Sequence, residues 1–218
     1  MLSGRRQFIL ILAAISGLSL VSQITYAAPF RLRPGQIFVA YGGSNIGVFA
    51  DTLQLGGSPI GTIQLDSTFA TGCTVTGGGR VTLDELGNLY VTVRDFEGQA
   101  YRRGIIKINR DGIIEWKADS GGTLDYGGIV ASATLNRVYV ATAGGAGQAG
   151  IHVYRADNGA KLTTEYFGGT LAYRDLAFDK QGNLYALRRN EVVYWEVGSF
   201  SGSGIFVFSI PTEDPRAI

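Results

Sequence analysis

The chain has 218 residues, 45% of them apolar and only 17% charged, which excludes a disordered or highly charged tail protein. Glycine is abundant at 32 residues, but with 5 prolines and no Gly-X-Y triplet the chain is not collagen-like. The formal net charge of +1 argues against a nucleic-acid partner, the single Cys excludes an internal disulfide and a Cys-based zinc site, and the single His excludes a multi-His metal site.

Residues 1–27 read as an export leader. Arg5 and Arg6 give a positive start, and Phe8 to Val21 is apolar except for Ser16, Gly17 and Ser19. Ala27-Ala28-Pro29 closes the segment with small residues and a helix breaker. The arginine pair followed by Gln7-Phe8-Ile9 is similar to a twin-arginine signal, although Gly4 and Leu10 stand where Ser or Thr and Lys are preferred. Twin-arginine export and ordinary secretion carry equal weight, and either makes the protein periplasmic or extracellular. The alternative is an uncleaved anchor, since Gln7 to Phe30 is uncharged and long enough to span a bilayer. Contact with a membrane would then rest on this segment alone. Without Arg5 and Arg6 the basic residues fall from 19 to 17 against 18 acidic ones, so the domain at 28–218 is near neutral. Cys73 is expected to be a buried structural thiol.

After the leader the chain repeats. Leu83-Asp84-Glu85-Leu86-Gly87-Asn88-Leu89-Tyr90 matches Phe178-Asp179-Lys180-Gln181-Gly182-Asn183-Leu184-Tyr185. Ala133 to Tyr139 is a weaker copy, and Arg33 to Phe38 the weakest. The aromatics that close the copies, Phe38, Tyr90, Tyr139 and Tyr185, are 52, 49 and 46 residues apart. In each unit an alternating run such as Arg80-Val81-Thr82-Leu83 predicts a strand. Asp-x-x-Gly-Asn predicts a hairpin turn, because Asp bonds back to the turn backbone and Gly takes the left-handed conformation. Leu89 to Val93 is the returning strand. A third follows at Gly104 to Ile108 and, in the next unit, at Gly150 to Tyr154. Second turns at Asn109 to Gly112 and Asp157-Asn158-Gly159 lead to fourth strands at Ile113 to Trp116 and Leu162 to Tyr166.

Four antiparallel strands every ~45 residues predict an all-β fold, a β-propeller with four-stranded blades. A sandwich or barrel is the alternative. The four visible units span about 30–67, 78–120, 127–168 and 174–210. Trp116 and Trp195 are expected in outer strands, packed between blades.

The segments Leu83 to Val93 and Phe178 to Leu187 resemble the NHL-type propeller repeat and the related gluconolactonase and virginiamycin-lyase type propellers. That resemblance implies about six blades, so four would belong to a longer ring. If four are the whole chain, they close on themselves or copies associate as a homo-oligomer. Gluconolactonase-type propellers hold a divalent cation at the axis with Glu, Asn and Asp side chains. Here the expected heads of the inner strands are Gly79, Gly128 and Asp175, so Asp175 is the sole metal candidate, and more weight falls on no cofactor. The lyase type uses a His base, but His152 lies within a third strand and reads as a structural surface residue.

Repeat register also sorts residues to one face, where the loops between second and third strands join the blade connections. Gly42 to Ile46, Arg94 to Arg103, Ala143 to Ala149 and Arg188 to Glu191 are the predicted loops. Thr71 to Gly77, Asp125, Tyr126, Tyr173, Arg174 and Asp175 are the predicted connections. Arg94, Asp95, Glu97, Tyr101, Arg102, Arg103, Tyr173, Arg174, Asp175 and Arg188 are the candidate ligand-binding residues, with no catalytic residue assigned. Arginine forks beside aromatic faces suit a peptide, glycan or acidic small molecule. The chain is therefore expected to be an exported binding module acting through this loop face. The alternative is a metal-dependent lactonase or esterase, or a lyase-like enzyme.

Overall fold

A computed structural model describes residues 32, 36–41, 45–50, 58–65, 74–97, 100–119, 125–143, 149–167, 172–188, 191–196 and 205–209. The predicted leader, Cys73, Arg189 and the loop residues 144–148 lie outside that set. The described residues form four antiparallel sheets and no helix. The first holds β1 (Ile37–Tyr41), β2 (Asn45–Phe49) and β3 (Gly61–Gln64). The second holds β4 (Thr74–Leu83), β5 (Leu89–Glu97), β6 (Ala100–Ile108) and β7 (Ile114–Asp119). The third holds β8 (Asp125–Ser132), β9 (Arg137–Ala143), β10 (Gly150–Arg155) and β11 (Lys161–Phe167). The fourth holds β12 (Asp175–Phe178), β13 (Leu184–Arg188), β14 (Glu191–Trp195) and β15 (Ile205–Ser209). In every sheet the strands neighbour one another in chain order, as short connections demand.

The turns form for local reasons. Asp84 accepts the backbone N–H groups of Leu86 (3.0 Å) and Asn88 (2.9 Å), and Asp179 does the same for Gln181 (2.9 Å) and Asn183 (2.8 Å). Gly87 and Gly182 sit at φ 81° and 84°, the left-handed region that favours glycine. The third unit lacks the Asp, and Asn136 occupies the Gly position at φ 52°. Its turn is held from outside instead. Glu85 reaches over from the second sheet, accepting Ser132 Oγ (2.8 Å) and the Ala133 N–H (2.7 Å). Partial burial raises the Glu85 pKa, but the hydrogen bonds from backbone and Ser132 outweigh it and hold the carboxyl below its ordinary 4.5. A depressed carboxylate stabilises the fold above its unfolded pKa, and that contribution is lost as pH falls through the lower folded value. Thermal midpoints of wild type and Glu85→Gln are therefore expected to differ at pH 7 and to converge as the pH falls well below the ordinary 4.5. A gap that stays constant with pH would refute the cross-sheet tie.

The sheets bury both faces, so their strands read as nearly continuous apolar runs. Leu89, Val91 and Val93 of β5 pack with Ile46, Val48 and Ile63 of the first sheet. Tyr90, one residue out of phase, faces Ile129, Ala131, Val138 and Val140 of the third. On β9, Tyr139 and Ala141 turn the other way, onto Leu176, Leu184 and Ala186 of the fourth. This alternation follows the two-residue period of a strand. Each fully buried Ile, Leu or Tyr contributes about 1.5–3 kcal/mol, so cohesion lies mainly between consecutive sheets. The inner strand β4 lies against β8, and β8 against β12. The chain is all-β, and this stacking is consistent with the blades of a propeller.

The structure corrects several expectations. The stretch from Arg94 to Arg103 is not a loop: β5 and β6 continue in register through Arg94↔Arg103 and Asp95↔Arg102 to Glu97↔Ala100. Likewise Thr74 to Gly77, Asp125, Tyr126 and Asp175 belong to inner strands rather than connections. Trp116 is in an outer strand as expected, with its indole N–H on the Ala156 carbonyl of the third sheet (3.0 Å). Trp195 is in the third strand of its sheet, although it does pack into the core shared with the preceding one. His152 is buried, at 4% exposure, because its phase on β10 matches Tyr154, which faces the second sheet.

Candidate functional site

A shared irregularity shapes the inner edge. Gly78 pairs with Val93 and Val81 with Val91, so Gly79 and Arg80 together oppose Thr92. Tyr126 pairs with Thr142 and Ile129 with Val140, so Gly127 and Gly128 together oppose Ala141. In the fourth sheet Asp175 pairs with Leu187, and the Arg174 N–H also donates to the Leu187 carbonyl (2.8 Å). The second and third sheets thus carry β-bulges at one level, at which Asp175 of the regularly paired β12 also stands, and bulges re-aim side chains and gather near functional sites. They also correct the inner-edge assignment: Arg80, not Gly79, stands at the level of Gly128 and Asp175.

Glycine has a specific task here. The Gly128 N–H donates to the Arg174 carbonyl (2.8 Å). A Cβ on Gly128 would meet the Asp175 carboxylate, the Leu176 nitrogen at 2.6 Å and the Asp175 Cα at 2.7 Å. A Cβ on Gly127 would strike the Arg174 carbonyl group. The missing side chains let β12 close on β8. That approach brings Arg174, which is exposed, and Asp175, which is half-buried, to the same edge as the exposed Arg80. The Arg80 backbone is fixed by its N–H bond to Thr92 Oγ1 (2.9 Å), and the Asp175 Oδ1 accepts the Leu176 N–H (3.0 Å).

The predicted residues divide into three groups. Arg94, Asp95, Glu97, Tyr101, Arg102 and Arg103 line up on the extended β5–β6 ribbon. Tyr173 is not on a ligand face: it is 1% exposed, in the core with Trp195. Burial lifts its phenol above the ordinary value, opposed only in part by the Arg188 guanidinium. Arg188 is engaged internally, with Nη2 at 2.6 Å and Nε at 3.1 Å from Glu191 Oε2. Among the candidates whose side chains are described, Arg174 is exposed and Asp175 half-buried, and the exposed Arg80 stands at their level. Sequence reading passed over Arg80 because a two-for-one bulge cannot be counted from a single strand. The glycine run at 77–79 was its only visible signal.

The fit of a divalent cation can be tested on this edge. Among the described residues no three His, Cys, Asp or Glu side chains gather. Asp175 is the carboxylate at this level of the inner strands, where Arg80 and Arg174 also stand, whereas Ca²⁺ takes six or more oxygen ligands. The described donor set does not fit such an ion.

The other end of the same strands carries a cleft of about 640 Å³ between the inner turns of the second, third and fourth sheets. Leu83, Val130, Leu135 and Phe178 supply apolar walls, and Glu85 and Lys180 line it from opposite sheets. Nothing in the sequence pattern marked it, because those turns read fully as hairpin chemistry.

No family model matches the chain, and no curated protein matches it. Solved structures do. A protein of unknown function from Bacteroides caccae superimposes with a TM-score of 0.51 at 13% identity, over 86% of this chain and 61% of that one. A gluconolactonase from Xanthomonas campestris superimposes with a TM-score of 0.58 at 14% identity, over 81% of this chain and 59% of the enzyme. The chain thus spans about three-fifths of the length of either neighbour. At these identities the likeness is one of fold, and it is to a gluconolactonase-like fold rather than to NHL repeats in particular.

Proposed function

We propose that the protein is an exported binding module that takes a carboxylate-bearing ligand, a small acid or an acidic sugar, at the bulged inner edge. The observation that carries this reading is that the exposed Arg80 lies in the β4 bulge and the exposed Arg174 at the matching level beside β12, with the β8 bulge between them. Guanidinium groups fix carboxylates through paired donors. Asp175 beside them would disfavour a purely anionic ligand and suits one with hydroxyls to donate.

Likeness in fold to a gluconolactonase favours a second reading, a hydrolase of sugar lactones with Asp175 at its centre. One experiment separates the two. Binding of galacturonate and of tri-galacturonate is measured by calorimetry, and hydrolysis of glucono-lactone is followed with and without Ca²⁺ or Mn²⁺. The binding reading expects affinity that falls at least tenfold in Arg80→Ala/Arg174→Ala, with no lactone turnover. Turnover that is abolished in Asp175→Asn would replace it with the second reading. Equal affinity in wild type and the double variant would remove the edge as a site. Export is tested separately, by sequencing the N-terminus of protein recovered outside the cytoplasm.

A further inference from the structure

We infer that the cleft at the opposite end of the inner strands binds short apolar peptides with free termini. Its residues share nothing with the bulged edge. Arg80 and Leu83 are three residues apart on β4, as are Asp175 and Phe178 on β12, about 10 Å at the rise of a strand. The two sites are therefore separable by mutation.

The chemistry follows from what its charges are already doing. Asp84 and Asp179, the first residues of the matched turns, are consumed by those turns. The next residue in each copy is left to face the cleft, and it is Glu85 in one and Lys180 in the other. Equivalent positions of two sheets thus set a carboxylate and an ammonium on opposite sides of one cleft. Glu85 spends one oxygen on Ser132 Oγ and the other on the Ala133 N–H. The backbone N–H groups of Glu85 and Thr134 also act on this carboxylate, so what it offers a ligand ammonium is its charge. Lys180 is exposed and forms no ion pair among the described residues. Between them the surface is apolar. Leu83 is 42% exposed at the mouth, Leu135 and Phe178 are half-buried, and Val130 forms the floor. The volume of about 640 Å³ lies within the range of small-ligand sites.

An apolar surface flanked by a carboxylate on one side and an ammonium on the other is complementary to a zwitterion with an apolar body. A simple acid would meet Glu85 and Asp179 as like charges, and a simple amine would meet Lys180. An apolar peptide of two or three residues satisfies all three regions: its ammonium at Glu85, its carboxylate at Lys180, its side chains on Leu83, Leu135 and Phe178.

Trileucine, N-acetyl-trileucine and trileucine amide are the probes, titrated calorimetrically into the full-length protein. Trileucine is expected to bind, and each capped form to bind about fivefold more weakly, as the loss of an exposed charge pair predicts. Lys180→Gln should weaken trileucine to the same degree and make amidation of the ligand inconsequential. Lys180→Glu should weaken it further, with binding of the amide spared. Arg80→Ala should change none of these affinities. The inference is overturned if trileucine shows no binding at millimolar concentration, or if amidation costs the same in wild type and Lys180→Gln. Because Lys180 is solvent-exposed and outside the core, its variants retain the fold, and a thermal midpoint within a degree of wild type verifies this. Glu85 is left unaltered in the test, since it also holds the third turn.

Discussion

Gly128→Val is expected to destabilise the protein by about 3 kcal/mol or more, the upper part of the range for overpacking a dense site. A Cβ at this position would lie 2.6 Å from the Leu176 nitrogen and 2.7 Å from the Asp175 Cα. These are backbone atoms, which cannot rotate away as a side-chain end would, so β8 and β12 must separate. Their parting would break the Gly128 N–H bond to Arg174 and loosen the contact of Ile129 and Val130 with their neighbours. The useful comparison is Gly87→Ala. Nothing lies within 4 Å of a Cβ there, but φ is 81°, so the penalty is the conformational one of about 1–2 kcal/mol. Urea unfolding of both variants measures the difference. If Gly128→Val unfolds at the wild-type midpoint, β8 and β12 are not packed edge to edge and the stacking of sheets is wrong. Any variant that survives should also lose the bulged edge, because Arg174 and Asp175 ride on the displaced strand.

The second large effect is expected at Asp84. Its carboxylate accepts four bonds: from the Leu86 and Asn88 amides, from Asn88 Nδ2 at 2.8 Å and from the Tyr90 hydroxyl at 2.9 Å. Tyr90 is fully buried, and burial followed by the Asp84 charge pushes its phenol well above the ordinary range, so it stays a neutral donor. Asp84→Ala would strand that hydroxyl and release the turn. Bonds to a charged acceptor contribute about 1.5–3 kcal/mol, and an orphaned buried donor costs about 1–3. Since such terms are not additive, about 3–4 kcal/mol is the expected loss. Asp179→Ala removes the same turn bonds but should cost markedly less. There the carboxylate is more open and the repeat aromatic, Tyr185, is half-buried and stacked on Tyr194 at 5.4 Å instead of sealed beneath a further sheet. The Tyr185 hydroxyl also bonds Asp179, so equal losses in the two variants would mean that sealing the Tyr90 hydroxyl beneath a further sheet adds nothing to the cost of losing its partner.

This contrast between equivalent positions shows how far local chemistry reaches. Asp84 and Asp179 make the same bonds in the same turn, as their identical spacing from Gly and Asn implied. The strands, the turns and the period of the repeat were all legible because each depends on contacts within a few residues. The third unit was legible only in part. Its missing Asp is replaced by Glu85, 48 residues earlier in the chain, and no local pattern records such a substitution.

The candidate sites lay further from reach. Repeat counting placed Tyr173 and Arg188 on a ligand face, yet one is core and the other is bound to Glu191. It called 94–103 a loop because charged residues in a run look solvated, whereas paired strands accept them on an extended ribbon. His152 read as surface because a lone imidazole is polar, but its phase on β10 turned it inward.

What the amino-acid sequence determined by itself is the repeating unit. Asp, Asn and Gly dictate each turn through bonds to their own backbone, and alternating apolar residues dictate strands with two buried faces. What only the tertiary structure decided is which side chains meet. An extra residue in a bulge shifts the face of everything beside it, and this is how Arg80 came to the level of Arg174 and Asp175. The opposed charges of Glu85 and Lys180 meet across a cleft only because three separate turns are stacked side by side. Both outcomes depend on distances between residues far apart in the chain, and pairwise packing, not local propensity, sets those distances.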